Sequence, residues 1–227
     1  MARKSTFICN NCGESSGKWS GKCEACGAWN SMTEEPVGDR PPIGRGAKQQ
    51  KGRKVELSSL TGSDAEPARL TSGISELDRV LGGGFVAGSA TLLGGDPGIG
   101  KSTLLLQAAA SLARKNLRTV YISGEEALAQ LRMRAARLKL TDAPVELAAE
   151  TNIADIRKTL EGTGDIGMVI IDSIQTMWSP AIEAAPGTVS QVRVSGQELI
   201  HFAKANGVAV ILVGHVTKDG QIAGPRV

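Results

Sequence analysis

Residues 90–104 read ATLLGGDPGIGKSTL. The apolar run at 90–94 has the pattern of a buried strand, a glycine-rich loop follows it, and residues 103–113 are good helix formers. The loop matches G-x-x-x-x-G-K-[ST] in full, and strand, loop and helix are the context that this motif requires. Because short apolar runs alternate with helical patterns from about residue 69 onward, the sequence predicts an α/β fold with a mostly parallel sheet.

The glycine-rich loop predicts a nucleotide site. Its glycines allow backbone N–H groups to wrap around a phosphate at the N-terminus of the following helix. Lys101 is expected to reach the β- and γ-phosphates, and Ser102 is expected to place its hydroxyl on Mg²⁺. The residues predicted to bind ATP are Gly95, Asp96, Pro97, Gly98, Ile99, Gly100, Lys101, Ser102 and Thr103.

A second predicted core strand ends in an acid. Residues 168–172 read MVIID, so four apolar residues lead to Asp172 at the carboxyl edge of the sheet, where ligands of open α/β sheets bind. Asp172 is therefore predicted to hold Mg²⁺ through its water shell, as a Walker-B acid does. The alternative is that Asp172 only caps the helix that follows.

Two further predicted strands end near residues that suit hydrolysis. Glu125 and Glu126 follow the strand at 119–123, and either carboxylate could orient or deprotonate water. Both could instead be acids that the N-terminal dipole of the next helix favours. The strand at 208–213 leads to His215, which could sense the γ-phosphate or act only as a structural hydrogen-bonding residue.

All four cysteines lie within the first thirty residues, in two Cys-x-x-Cys pairs. Four thiolates suit a tetrahedral Zn²⁺, and a site with four protein ligands and no open position is structural. About thirty residues with few apolar side chains also need such a cross-link to hold a fold. Two disulfides or a redox pair are the alternatives, and a cytoplasmic setting argues against the disulfides. The predicted zinc ligands are Cys9, Cys12, Cys23 and Cys26.

Composition divides the chain into three parts. Residues 1–33 form the predicted zinc ribbon, residues 34–54 a basic linker rich in Pro and Gly, and residues 55–227 the ATPase core. The linker carries six basic residues and, after Glu35, a single acid. We interpret it as a solvated tether whose charges keep it soluble, with a basic arm that contacts phosphates as the alternative.

The overall composition excludes several classes of protein. Hydrophobic residues make up 41% of the chain and charged residues 22%, which is globular composition and not that of a wholly disordered chain. A formal net charge of +3 neither requires nor excludes a nucleic-acid partner. The apolar runs are too short to cross a bilayer, and none follows the basic residues at the start. A cytoplasmic protein with no secretory signal and no membrane partner is predicted.

Several segments resemble a known family of ATPases. The segment SGISELDRVLGGGF at 72–85, together with the phosphate loop, resembles the RecA-like ATPases. With the four-cysteine ribbon in front, the chain closely resembles the RadA (Sms) family of bacterial DNA repair proteins. Further matching pieces are YISGEE at 121–126, IDSIQ at 171–175, GHVTKDG at 214–220 and IAGPRV at 222–227.

The resemblance implies an ATP-driven, ring-forming motor on single-stranded DNA that processes recombination intermediates, including branched DNA. It further implies a possible recombinase or helicase partner. By position, Lys101 and Ser102 correspond to the phosphate and Mg²⁺ contacts and Asp172 to the Walker-B acid. Glu125 matches the catalytic glutamate better than Glu126, and His215 corresponds to the γ-phosphate sensor.

The resemblance also implies a DNA channel. The segments after Gln175 and after His215 correspond to the two loops that line it. Expected phosphate contacts are Arg193, Lys218 and Arg226. Trp178 could stack on a base there, or it could be a buried anchor.

The chain departs from the family in its length. Residues 70–227 are short for a RecA-like core, and the family's Lys-Asn-Arg-Phe-Gly motif and Lon-protease-like domain are missing. We therefore expect a C-terminally truncated chain that binds ATP but hydrolyses it poorly. A sheet that is incomplete at its C-terminal end is also expected to expose unpaired backbone groups and apolar surface, which favours aggregation.

Two other functions fit parts of the sequence. A KaiC-like signalling ATPase would share the triple-glycine pattern but would lack the ribbon and be indifferent to DNA. A non-catalytic interaction module would use the ribbon and basic linker to recruit a partner while the core only holds nucleotide.

Overall fold

The computed structural model describes residues 5–9, 15–25, 27–36 and 68–215. Two of the four predicted zinc ligands, Cys12 and Cys26, lie outside these ranges. Most of the predicted linker also lies outside them, as do two of the three predicted DNA contacts, Lys218 and Arg226.

The N-terminal part of the chain forms a small antiparallel sheet. It consists of β1 (Ser5–Cys9), β2 (Ser15–Ser16) and β3 (Met32–Pro36), in the order β2-β1-β3. β3 pairs with β1 along its whole length, so the ribbon's last strand ends three residues beyond the predicted boundary at residue 33. Cys9 and Cys23 are 0% and 1% exposed and pack in one cluster with Met32.

The second part of the chain alternates strands and helices. A two-stranded sheet and one short helix come first: β4 (Arg69–Leu70), α1 (Ser75–Val80) and β5 (Phe85–Val86). The elements of the main layer follow: β6 (Ala90–Gly95), α2 (Lys101–Arg114), β7 (Thr119–Ser123), α3 (Leu128–Arg137), β8 (Glu146–Ala149), α4 (Ile153–Glu161), β9 (Met168–Asp172), α5 (Val189–Asn206) and β10 (Ala209–His215). None of the described helices is both long enough and apolar enough to span a membrane.

The five main strands form one parallel sheet in the order β6-β10-β9-β7-β8. This arrangement confirms the predicted α/β fold. The register places His215 opposite Gly95 and Ser123 opposite Asp172, so the carboxyl ends of four adjacent strands meet at one edge. Side chains at the ends of these strands therefore converge, although they are far apart in sequence.

Both faces of the sheet are covered by helices. Because successive side chains of a strand point to opposite faces, Ile171 packs toward α4 and α5, whereas Ile170 packs toward α2 and α3. All residues of β7 and β9 are buried. These strands read as continuous apolar runs because a parallel sheet covered on both faces has no solvated side.

The strand before the phosphate loop, β6, was predicted to be buried, but it is partly exposed. Within residues 68–215, β6 pairs with β10 alone, and its residues are exposed or half-buried in alternation. Leu92 is 48% exposed. The apolar sequence of β6 predicted burial, but its position at the edge of the described sheet leaves one side uncovered.

Candidate nucleotide site

The loop between β6 and α2 follows the G-x-x-x-x-G-K-[ST] motif. Gly98 has φ +80° and Gly100 has φ +98°, a left-handed backbone that glycine adopts at little cost. Gly100 is the N-cap of α2, and the helix begins at Lys101. The loop therefore delivers the chain to a helix N-terminus, where backbone N–H groups and the helix dipole favour a phosphate.

The Lys101 side chain folds back into this loop and is only 8% exposed. Its ammonium donates to the backbone oxygens of Gly95 at 2.7 Å and of Asp96 at 2.8 Å. It also lies 3.4 Å from Nδ1 of His215. The positive charge is thus held between the phosphate loop and the end of β10.

Glu125, Ser173 and His215 form a connected cluster at the same edge. The Ser173 hydroxyl donates to Oε1 of Glu125, and Nε2 of His215 lies 3.1 Å from the same oxygen. One neutral tautomer satisfies both His215 contacts, because protonated Nε2 donates to Glu125 while Nδ1 accepts from Lys101. His215 therefore bridges the lysine of the loop and the carboxylate that follows β7.

Glu126 has a different environment from Glu125. Its carboxylate accepts a hydrogen bond from Arg134 of α3, and both side chains are partly buried. Its backbone N–H donates to the Ser123 hydroxyl at 2.8 Å. The two neighbouring acids are thus separated, with Glu125 facing His215 and Glu126 held by α3.

Asp172 ends β9 beside the loop, and its carboxylate accepts a hydrogen bond from Tyr121 at 2.5 Å. Burial and the nearby Asp172 charge raise the pKa of the Tyr121 hydroxyl above its ordinary value, and a hydrogen bond with Ser102 opposes that rise. The peptide bond between Asp172 and Ser173 is cis. A short 3₁₀ turn (Ile174–Thr176) begins directly after Ser173, which leaves Asp172 outside the turn.

The segment after the 3₁₀ turn, predicted to line a DNA channel, is held by buried polar contacts. Gln191 of α5 accepts from the Ser179 N–H at 2.8 Å and donates to the Ala184 carbonyl at 2.9 Å. Trp178 is half-buried and pairs through its backbone with Thr151. Arg193 lies exposed on α5, one turn beyond the start of that helix.

The ribbon offers part of a metal site. Cys9 and Cys23 are distant in sequence, yet both are buried in the same small cluster, which fits two thiolates directed at one Zn²⁺. Because the other two cysteines lie outside the described residues, no group of three or more potential ligands is found within the described ranges.

Several contacts at the site involve residues to which the sequence alone assigned no role. Tyr121 and Ser173 belong to matching segments of the family, but their side-chain partners were not predicted. Gln175 also contributes, because its amide donates to the His215 carbonyl at 3.1 Å. A usable signal was present for Tyr121, since a hydroxyl inside a fully buried strand requires a polar partner.

Comparisons with known proteins assign the chain to a family. A family profile described as "AAA domain" matches residues 57–221. The chain belongs to this AAA domain family. A second profile, described as "Rubredoxin metal binding domain", matches residues 7–34, in front of the AAA domain.

Proteins named DNA repair protein RadA are similar to nearly the whole chain. The relative from Brucella abortus is 58% identical over 97% of this chain and 49% of its own length. The relative from Bacillus subtilis is 45% identical over 98% of this chain and 49% of its own length. These relatives confirm the predicted resemblance to RadA, and the chain spans about half of their length.

A solved structure of another protein's ATPase domain shares the fold of the AAA domain. It superposes with a TM-score of 0.57 at 18% identity, covering 69% of this chain and 67% of the solved chain. The likeness confirms the predicted RecA-like architecture of the core.

Proposed function

We propose that this AAA domain protein is an ATP hydrolase of DNA repair whose turnover is stimulated by DNA. The observation that supports the proposal best is the convergence of Lys101, Glu125, Asp172 and His215 at the carboxyl edge of one parallel sheet, beside a phosphate loop. Phosphoryl transfer to water requires four kinds of group: a positive charge, a carboxylate that holds metal, a carboxylate that orients water and a polar sensor.

Nucleotide binding is assigned to the phosphate loop and α2. The backbone N–H groups of residues 95–103, Pro97 excepted, would surround the phosphates, and Lys101 would neutralise their charge. The Ser102 hydroxyl and the Asp172 carboxylate are hard oxygen ligands of the kind that Mg²⁺ prefers, directly or through its waters. Mg²⁺ held there would neutralise negative charge on the phosphates during transfer.

Water activation is assigned to Glu125. Its carboxylate is exposed enough to meet a water molecule and is oriented by Ser173 and His215. His215 contacts both Lys101 and Glu125, so it is suited to detect the γ-phosphate and to report its presence along β10. Glu126 is assigned a structural role because Arg134 already holds its carboxylate.

The proposed substrate is single-stranded and branched DNA in recombination intermediates. This part of the proposal rests on the similarity to proteins named DNA repair protein RadA. Arg193, Lys218 and Arg226 are the proposed phosphate contacts, and a homo-oligomeric ring with a recombinase or helicase partner is the proposed assembly. The ribbon is proposed to hold a structural Zn²⁺ with Cys9, Cys12, Cys23 and Cys26.

The test is ATP hydrolysis by the 227-residue chain with and without single-stranded DNA. We expect slow hydrolysis whose rate the DNA raises, and we expect Lys101→Ala to abolish hydrolysis and weaken ATP binding at least about tenfold. Lys158→Ala is the matched control, because Lys158 is an exposed lysine on α4, and its rate should equal that of the unsubstituted chain.

Other outcomes would favour other functions. Hydrolysis that is indifferent to DNA would favour a signalling ATPase. Tight ATP binding without any turnover, together with DNA binding that survives Lys101→Ala, would favour a non-catalytic interaction module.

A further inference from the structure

Tyr121 is a polar group in the most buried part of the sheet. It is the only tyrosine of the chain, it is 0% exposed, and it lies in the middle of β7. Its ring packs among apolar side chains of α2, α3 and β9, including Leu105, Leu131 and Ile170. The ring thus completes the core, but a phenylalanine would pack there as well, so the hydroxyl needs a separate explanation.

The Tyr121 hydroxyl contacts the carboxylate that is assigned to Mg²⁺. It donates to Oδ2 of Asp172 at 2.5 Å. The two residues come from β7 and β9, which are separate segments of the chain. Among the described residues, no other side chain donates to the Asp172 carboxylate.

We propose that Tyr121 is a positioning residue for the Mg²⁺–ATP site, because its hydroxyl holds one oxygen of Asp172 and so fixes the orientation of that carboxylate. The inference rests on the proposed nucleotide site and adds a residue that sets its affinity for metal. With Oδ2 engaged by Tyr121, Oδ1 would be the oxygen left to hold Mg²⁺ or one of its waters. Partners of this kind orient ligand carboxylates, and their loss commonly weakens metal binding about 10- to 100-fold.

Tyr121→Phe is the decisive variant, because it removes the hydroxyl and keeps the ring. The measurement is Mn²⁺ affinity in the presence of a non-hydrolysable ATP analogue, read from the electron paramagnetic resonance signal of free Mn²⁺. We expect the affinity to fall about tenfold. Binding of the same analogue in EDTA should change less than about twofold, because the loop and Lys101 are untouched.

Thr119→Val is the matched control on the same strand. Thr119 is fully buried, and its hydroxyl donates to the Leu117 carbonyl at 2.9 Å, at the opposite end of β7 from the site. Loss of this hydroxyl should lower thermal stability without changing Mn²⁺ affinity. An equal loss of Mn²⁺ affinity in both variants would show a general packing effect and would overturn the proposal.

A second measurement uses the unsubstituted chain. Because the chain has one tyrosine, labelling with tyrosine that carries ¹³C at Cζ gives one resonance that reports the hydrogen bond of its hydroxyl. That resonance should shift in Asp172→Asn and when Mg²⁺ is added to the analogue-bound chain. A resonance unmoved by both, or a Tyr121→Phe variant with unchanged Mn²⁺ affinity, contradicts the proposal while leaving the nucleotide site intact. Failure of the unsubstituted chain to bind the analogue would overturn the proposed function and this inference together.

Discussion

Glu125 and Glu126 are adjacent acids whose surroundings predict different roles. Glu125 contacts Ser173 and His215 at the sheet edge, whereas Glu126 pairs with Arg134. We expect Glu125→Gln to retain ATP binding and to lower the hydrolysis rate at least about 100-fold, because an amide cannot accept the proton of water. Single-turnover hydrolysis and equilibrium binding of ATP measure the two effects separately.

Glu126→Gln is the control for this prediction. It leaves the partly buried Arg134 without its charged partner, so it should lower the free energy of unfolding by about 1–2 kcal/mol. Its turnover should stay within a few-fold of the unsubstituted chain. If Glu126→Gln were the variant that lost turnover, the assignment of the base to Glu125 would be wrong.

Gly124 directly precedes Glu125, and its backbone packs closely against the 3₁₀ turn at Ile174–Thr176. A Cβ at this position would lie 2.0 Å from Oγ1 of Thr176 and 3.0 Å from Cε of Met177. Gly124→Ala should therefore displace the 3₁₀ turn, lower the free energy of unfolding by about 1–3 kcal/mol and reduce turnover. Urea denaturation and the hydrolysis assay measure these effects.

Gly196→Ala tests whether the effect is specific to position 124. Gly196 lies within α5, and a Cβ there would meet no atom within 4 Å. Alanine at this site should be neutral or stabilising by up to about 1 kcal/mol, because it favours the helix. A Gly124→Ala variant as stable and active as Gly196→Ala would contradict the close-approach argument.

At the scale of elements, Asp78 holds α1 to the turn that precedes it. Its carboxylate accepts from the Ser72 N–H and hydroxyl, both at 2.8 Å, and from the Gly73 N–H at 3.0 Å. Burial opposes the charged form, but these hydrogen bonds outweigh burial, and the pKa of Asp78 lies below its ordinary value. The carboxylate therefore stabilises the fold above pH about 4, and this contribution is lost as the pH falls through the lowered pKa.

Asp78→Asn should remove this pH-dependent contribution. At pH 7 we expect the variant to be less stable than the unsubstituted chain by about 1–2 kcal/mol, since neutral amides accept weaker hydrogen bonds. The difference should shrink as the pH falls below about 4, because Asp78 becomes protonated first in the unfolded chain and then, at its lowered pKa, in the folded chain. Urea midpoints measured between pH 3 and 7 test this, and a difference that is constant over that range would refute it.

Glu76→Gln provides the comparison within the same helix. Glu76 pairs only with Arg79 among the described residues, and both side chains are largely exposed. Exposed ion pairs of this kind contribute little to stability. The urea midpoint of Glu76→Gln should accordingly match that of the unsubstituted chain at every pH.

At the scale of the whole molecule, all cysteines lie in the ribbon and the proposed nucleotide site lies in the AAA domain. Removal of zinc by a strong chelator should release one Zn²⁺ per chain and expose four reactive thiols, because the ribbon's small core cannot hold its fold unaided. Nucleotide affinity should remain within about twofold of the untreated chain, since none of its proposed ligands is a thiol.

Cys23→Ser tests, without a chelator, whether nucleotide binding by the AAA domain is independent of zinc binding by the ribbon. Cys23 is buried beside Cys9 and Met32, so the variant should lose zinc and should show exposed thiols. A variant that kept one Zn²⁺ per chain with normal folding would contradict the four-ligand site. Loss of ATP binding in this variant would show instead that the ribbon supports the nucleotide site.

Most features predicted correctly were local patterns. The strands β7 and β9 were predicted from continuous apolar runs, and α2 from helix formers after a glycine loop, because burial on both faces and helix propensity act over a few residues. Burial of β6 was predicted wrongly from the same kind of run. Its apolar sequence does not specify which strands lie beside it, and within the described sheet only β10 does.

The side-chain network of the site could not be predicted from such patterns. Lys101 and His215 are 114 positions apart, and His215 and Glu125 are 90 positions apart. Their contact depends on a strand order, β6-β10-β9-β7-β8, that does not follow the chain. Likewise, local sequence pattern does not distinguish Glu125 from Glu126, and only the resemblance favoured Glu125. Their contacts with other elements separate them, because Glu125 meets Ser173 and His215 whereas Glu126 meets Arg134.

The sequence by itself placed a candidate group at each strand end: the phosphate loop after β6, the acid that ends β9, the acids after β7 and the histidine that ends β10. These signals are local, because a motif or an apolar run depends on neighbouring residues. The packing of distant strands and helices decided which of these groups are in contact. It also decided that Arg134 pairs with Glu126 and that Tyr121 donates to Asp172. Such contacts arise from long-range strand pairing, and their geometry exists only once the sheet and its helices are assembled.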